Sequence, residues 1–369
     1  MRPLLHIIEP TLSNHSGHCY HHASTLIEAN ELFDVKLWMD KAGCGLFQDQ
    51  DCEEIGFFSR RWRKFQLGLC FANCLKRGGT IFIPTAGQLD MAWMDLLLRL
   101  SFRSGTKSVI VFHFHQFRGA PAKLARLKTW AKRNKGWRIV ATTQRLLRPF
   151  REAGFENCKV AYYPTSGIQK EVIVAPAEPE PHLLYAGAAR EDKGFGEVVK
   201  YLLYLDTLKL QWPASVQCAA PGNKRDGELD AVCRDRLNQL KAQLPSFVNL
   251  KEKVLTANEF RNQFQGAICL LLYDRVSYRD KFSAIALEAM QFGAPVITVR
   301  DTWMGDLVSA YDSGLVVEGN EIGELHSAVK KVRANYTDYR KRAIAAGKEL
   351  ALLHRPENTL QLLLQSDKH

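Results

Sequence analysis

A short apolar run followed by an amphipathic helical stretch recurs along both halves of the chain, and a proline-rich segment interrupts the series once. This alternation limits the fold more than any other feature. In the first half, residues 4–8, 35–39, 80–84, 109–114 and 138–142 read as strands, and residues 17–30, 91–100 and 122–132 as helices. Residues 175–181 (Ala-Pro-Ala-Glu-Pro-Glu-Pro) punctuate the chain. The pattern then restarts, with strands at 182–185, 215–219, 267–273 and 295–299 and helices at 195–205, 229–243 and 284–292. Strands that alternate with helices pair in parallel, because the crossover helix returns the chain to the same edge. The expected fold class is α/β, with two Rossmann-like doubly wound parallel-sheet domains and a ligand cleft at the strand C-termini. Expected boundaries are 1–174, a linker at 175–182, a second domain at 183–345 and a helical tail at 346–369, with a crossing back to the first domain as one option.

The chain has 369 residues, enough for two such domains. Its composition is 46% hydrophobic and 24% charged, which excludes extensive disorder. No apolar run approaches the ~18–20 residues of a spanning helix. The N-terminal apolar stretch is short and closed by Glu9-Pro10, unlike a secretory signal, so a cytoplasmic setting is expected. Nine scattered cysteines include no Cys-x2-Cys pair, so neither a disulfide framework nor a zinc site is implied.

Charge is distributed unevenly. Residues 1–170 hold 25 Lys/Arg and 13 Asp/Glu; residues 171–369 hold 25 and 26. Between Asp95 and Glu152 no acidic residue occurs, whereas fourteen Lys or Arg do. Such a surface attracts phosphates. In residues 60–71, Trp62, Phe65 and Leu69 share one face at helical spacing and are flanked by Arg60, Arg61, Arg63 and Lys64, a pattern suited to an anionic membrane surface. A core helix with a basic outer face fits the same pattern. No nucleic-acid-binding module accompanies the basic half, so a nucleic-acid partner is not expected.

The C-terminal half carries the most specific motifs. Asp280-Lys-Phe282-Ser283-Ala-Ile-Ala-Leu-Glu288-Ala-Met follows a strand, and Gly293-Ala-Pro295-Val-Ile opens the next one. Upstream, Gly187-Ala-Ala-Arg190-Glu-Asp-Lys193-Gly194 follows the first strand of that half. A Ser at a helix start offers a hydroxyl and unpaired backbone N–H groups to a diphosphate. These segments resemble the donor site of GT-B glycosyltransferases of the retaining family-four type, over about residues 183–320. Asp280 and Glu288 stand at that family's Glu-x7-Glu spacing. Ala188 replaces its usual Arg, with Arg190 two residues later.

The resemblance implies a glycosyltransferase that moves a sugar from a nucleotide-diphosphate sugar to a glycan or lipid-linked acceptor, in surface polysaccharide or lipopolysaccharide assembly. It implies catalytic roles for Lys193, Arg190, Asp280 and His115. Gly17, Gly187, Ser283, Glu288 and Val254 (within 250–256, where the base is usually held) are implied to bind the donor. No metal or other cofactor is expected, because Lys, Arg and a helix N-terminus neutralise the phosphates. The departures at Ala188 and Asp280 also suit an inactive sugar-nucleotide-binding scaffold subunit. Attachment to the inner face of a cell membrane is a further expectation.

In the first half, Ser13-Asn-His-Ser-Gly17-His opens the first helix, where the family has a Gly-containing loop. His113 and His115 point the same way on an extended chain. Sequence does not choose between them; the later residue, His115, is nearer the strand end. The pair could bind metal, but no third ligand lies nearby in sequence. Asp49-Gln-Asp51 matches an Asp-x-Asp metal motif without the apolar strand that normally precedes it, and reads as chance.

Overall fold

The computed structural model describes residues 2–15, 17–100, 108–117, 119–165, 181–219, 229–319 and 321–365. Residues 175–180 of the expected linker at 175–182, the loop Ala220-Pro221-Gly222, and Ser16, Arg103, Lys107 and Arg118 lie outside these residues. The chain divides into two units, residues 1–167 with 353–369, and residues 168–352.

The first unit contains strands β1 (Leu4–Glu9), β2 (Asp34–Asp40), β3 (Glu53–Phe58), β4 (Gly79–Ile83), β5 (Ser108–Phe114), β6 (Arg138–Ala141) and β7 (Asn157–Val160). Between them run helices α1 (Gly17–Glu28), α2 (Arg63–Arg77), α3 (Gln88–Arg99), α4 (Pro121–Arg133) and α5 (Gln144–Ala153). The sheet is parallel in the order β3-β2-β1-β4-β5-β6-β7. Successive side chains of a strand face opposite layers. In β5, Ile110, Phe112 and Phe114 therefore join one core and Val111 the other. That second core also contains Ala23, Leu26 and Ile27 of α1, so α1 covers the face to which His113 points. Strands β3 and β7 were not anticipated. β7 (Asn-Cys-Lys-Val) is only partly buried and lacks an apolar run. β3 holds Glu53 and Glu54 at its start, and Glu54 accepts backbone hydrogen bonds from Gly45 and Phe47.

The second unit contains β8 (His182–Tyr185), β9 (Ala214–Gln217), β10 (Val248–Lys251), β11 (Ala267–Leu271), β12 (Val296–Val299) and β13 (Gly314–Val317). Its helices are α6 (Phe195–Thr207), α7 (Ala231–Ala242), α8 (Ala257–Asn262), α9 (Arg275–Tyr278), α10 (Ala284–Gln291), α11 (Trp303–Tyr311), α12 (Ile322–Ala334) and α13 (Tyr336–Leu353). The sheet is again parallel, in the order β10-β9-β8-β11-β12-β13. The strand order reverses between β8 and β11, and in such sheets the loops leaving the two strands at that reversal form the ligand site.

The expected tail boundary at 346 falls inside α13 and is corrected here. Ala343, Ala346, Gly347 and Leu350 are buried along one face of that helix. A Cβ on Gly347 would lie 2.5 Å from the Met290 carbonyl oxygen, so α13 packs tightly beside the end of α10. The chain then bends at His354, and α14 (Pro356–Leu364) places Leu360 and Leu363 in the second core of the first unit. His354 donates from Nδ1 to the Tyr163 carbonyl at 2.7 Å, and its own carbonyl accepts from Thr165 at 3.1 Å.

Candidate active site

β8 ends at Tyr185, and the chain turns at Gly187 with φ of +99°. This left-handed conformation is open to glycine at little cost. The Gly187 N–H donates to Gln217 Oε1 at 2.7 Å, which fixes the turn against the end of β9. A single 3-10 turn, Glu191–Lys193, then leads through Gly194 into α6. Gly194 has φ of +73°, and a Cβ there would lie 2.1 Å from the Leu272 carbonyl oxygen. Gly194 is thus dictated by the close approach of this turn to the chain just past β11. The two are also tied by the Asp274 N–H, which donates to the Asp192 carbonyl at 3.0 Å.

This turn directs Lys193 inward. A Cβ on Gly187 would lie 3.6 Å from Lys193 Nζ and 3.5 Å from Ile285 Cδ1, so glycine, ammonium and the first turn of α10 converge. Nζ also lies 5.9 Å from the centre of the Tyr273 ring. Burial lowers the Lys193 pKa to about 8; the positive charge of Arg190 adds to this, and Asp192 opposes it. The ammonium forms no ion pair among the described residues. Arg190 is paired with Asp192. The result is a cation held partly out of water without a counter-ion, beside glycine and a helix N-terminus. An incoming anion would supply what is missing.

Ser283 is buried and occupies the cap position of α10. Its hydroxyl does not cap the helix. The first-turn N–H groups of α10 and the positive end of its dipole therefore face the same region as Lys193. Glu288 is the fifth residue of α10, and its carboxylate has no hydrogen bond or ion pair among the described residues. Burial raises its pKa to about 7, against an opposing effect of Arg261. Asp280 is half-buried in the loop before α10, 3.7 Å from Arg279 Nε. Val254 follows β10 on a loop and is 82% exposed. Gly187, Lys193 and the start of α10 are brought together, whereas Val254 stands exposed on its loop.

Residues 172–350 match the model of the family described as Glycosyl transferases group 1. The match spans nearly the whole of the C-terminal unit. Two Rossmann-like units in one chain are the composition of the GT-B glycosyltransferase fold, and solved structures with that fold resemble the whole chain. The glycosyltransferase from Rickettsia africae has a TM-score of 0.73 at 11% identity, covering 98% of both chains. HepE from Anabaena, solved in complex with UDP, has a TM-score of 0.70 at 14% identity, covering 99% of this chain and 98% of that one. WaaG, a glycosyltransferase of lipopolysaccharide biosynthesis, has a TM-score of 0.66 at 13% identity, covering 98% and 100%. No curated protein matches the chain in sequence.

Sequence reading missed several residues that shape this part of the C-terminal unit. Gln217 holds Gly187, Tyr273 faces Lys193 and Ile285 closes the third side. Each is an ordinary strand-end or helix residue with no motif of its own. In the first unit, Gly17 opens α1. His115 follows β5 with its ring 4.6 Å from that of His113 and 5.4 Å from that of His22. His22, from α1, was also missed, because ninety residues separate it from the pair it joins. Asp51 of the Asp-x-Asp sequence pairs with Arg2 at 2.7 Å on the surface.

Proposed function

We propose that this chain is a retaining glycosyltransferase that binds a nucleoside-diphosphate sugar on its C-terminal unit and transfers the sugar to a glycan or lipid-linked acceptor. The observation that carries this reading is Lys193, inward-facing and without a counter-ion beside Gly187 and the start of α10. The diphosphate would lie on Gly187 and the α10 N–H groups, with Lys193 against its oxygens. Glu288 would accept hydrogen bonds from the two ribose hydroxyls. Anabaena HepE, whose fold is similar, was solved with UDP.

In the reaction, the bond between sugar C1 and the phosphate oxygen breaks, and a bond from C1 to the acceptor oxygen forms on the same face. The acceptor proton passes to the departing phosphate oxygen. No protein nucleophile is required. Negative charge grows on the leaving diphosphate, and a pre-positioned cation in a partly dry site stabilises this state more than the ground state. Lys193, with Arg190 and the helix dipole, supplies that charge, so the phosphates need no metal. Asp280 and His115 would orient the sugar and acceptor.

A peripheral membrane setting is part of the proposal. Trp62, Phe65 and Leu69 of the α2 region are 55%, 66% and 62% exposed, while the opposite face of α2 is buried. Arg60, Arg61 and Lys64 are exposed beside them. Basic and bulky apolar side chains on one exposed face suit an anionic bilayer that presents a lipid-linked acceptor. Among the described residues, no helix is long and apolar enough to cross a membrane.

A panel of UDP-, GDP- and ADP-sugars tests the reading, first by thermal shift and then by donor hydrolysis in the absence of acceptor. Stabilisation with turnover supports transfer. Stabilisation without turnover favours the scaffold reading, for which Ala188 and the Arg190–Asp192 pair speak. No stabilisation by any nucleotide would remove both.

A further inference from the structure

The N-terminal unit holds a second cluster of reactive side chains. His22 of α1, His113 of β5 and His115 just beyond it lie on the face of the sheet that α1 covers. His22 and His113 are fully buried and His115 partly so. Ring centres are 5.2 Å apart for His22–His113, 5.4 Å for His22–His115 and 4.6 Å for His113–His115. One nitrogen from each ring lies within 4.8 Å of the other two.

The tautomer of His113 is set by its surroundings. Its Nε2 lies 3.1 Å from the Ala161 carbonyl oxygen, which can only accept, so Nε2 carries the proton. Nδ1 is then left with a lone pair, buried and without a hydrogen-bond partner among the described residues. Metal-binding histidines commonly donate their other ring N–H to a carbonyl, which fixes the ring and its tautomer. Simple ring packing would explain contacts with Phe82 and Tyr163, but it would leave this buried acceptor unused.

We propose that His22, His113 and His115 form a site for a divalent transition metal of the zinc class, with a fourth position open to water or a ligand oxygen. Three neutral imidazoles suit zinc, nickel or copper rather than magnesium or calcium. Tetrahedral Zn–N bonds of about 2.1 Å place ligand nitrogens about 3.4 Å apart, so the rings draw together by up to about 1.4 Å on binding. His115, past the strand end and partly exposed, is best placed to turn inward. Occupancy pins α1 to the end of β5 and stabilises this unit. Nucleotide binding, proposed above on the other unit, uses none of these three histidines, whereas the orienting role proposed for His115 would be shared with the metal.

The test uses the untagged full chain, stripped with a chelator and titrated with zinc and with cobalt(II) under reducing conditions. Expected are one zinc per chain and a cobalt spectrum without the intense charge-transfer bands of thiolate ligands. His113→Gln and His115→Gln should each weaken zinc binding at least tenfold, and His326→Gln in the other unit should leave it unchanged. Zinc should raise the melting temperature of the wild type and not of His115→Gln. If His113→Gln fails to fold, the partly exposed His115 still decides the matter. The proposal is overturned if the wild type binds no stoichiometric zinc, if the cobalt spectrum is that of thiolates, or if His115→Gln binds as tightly as the wild type.

Discussion

Gly194 approaches the Leu272 carbonyl so closely that a Cβ on it would lie 2.1 Å from the oxygen. Leu272 directly follows β11, so relief would require one of two backbones to move. Gly194→Ala also places a side chain at φ of +73°. The combined cost is expected to be at least about 2 kcal/mol, read as a lower urea midpoint. Gly187→Ala differs, because its Cβ would meet neighbours only at 3.5 and 3.6 Å. The left-handed backbone there costs about 1 kcal/mol, and the larger effect should fall on nucleotide affinity. Equal stability of Gly194→Ala and wild type would refute the tight turn.

Lys193 is costly to the fold and, under the proposed function, useful to the reaction. Its pKa is lowered from 10.5 to about 8, so between those values the unfolded chain holds the proton more tightly. Stability therefore rises with pH through this window, and at pH 7 the full penalty is present. Lys193→Met should raise the melting temperature at pH 7 while lowering turnover on the order of 100-fold, as for other lost electrostatic stabilisers. A variant with normal turnover would separate Lys193 from the chemistry.

Glu288 and Lys193 together set a pH dependence for donor binding. Glu288 must be ionised to accept ribose hydroxyls, and its pKa is raised to about 7 by burial. Lys193 must be protonated to meet phosphate, and its pKa is about 8. Affinity for a nucleotide sugar should pass through a maximum between these values. Glu288→Gln should flatten the acid limb, and Glu288→Ala should weaken binding by about 1.5–3 kcal/mol. The sign for stability is opposite: the raised pKa makes the fold bind the Glu288 proton more tightly, so this group's contribution falls as pH rises from 4.5 to about 7. Calorimetry across pH 6–9 (about three units, enough to cover both limbs) reads both.

For membrane binding, vesicle co-sedimentation should require anionic lipid and weaken as salt rises. Arg60, Arg61 and Lys64 to Glu should reduce it, with nucleotide affinity unchanged. Arg63 is left out because it pairs with Asp40 at 3.3 Å. Trp62→Ala with Phe65→Ala should remove the salt-resistant fraction. Equal partitioning onto neutral vesicles would assign the basic half to a soluble acceptor.

The fold was legible where burial is two-sided. Runs such as 109–114 and 267–273 read as strands because both faces need apolar residues, and the second ends at Leu271 in the structure. Edge strands carry no such requirement, which is why Asn157–Val160 passed unnoticed. In the second unit, Gly187 and Gly194 were legible because a left-handed backbone restricts residue type, Ser283 because it stands at a helix start, and Lys193 through the resemblance to a known family. Gln217 and Tyr273 were not, since any strand can end in them. His22 shows the deeper limit. It meets His113 only because α1 folds back across β5, a relationship set by sheet order and not by spacing along the chain.

Leu360 and Leu363 of α14 complete a core whose other members include Leu5, Ile7 and Val35. β1 thus leaves the ribosome long before the helix that covers its apolar face. During synthesis that face stays partly open, and a chain cut short near residue 355 would leave it so. The whole of the second unit is made between the two.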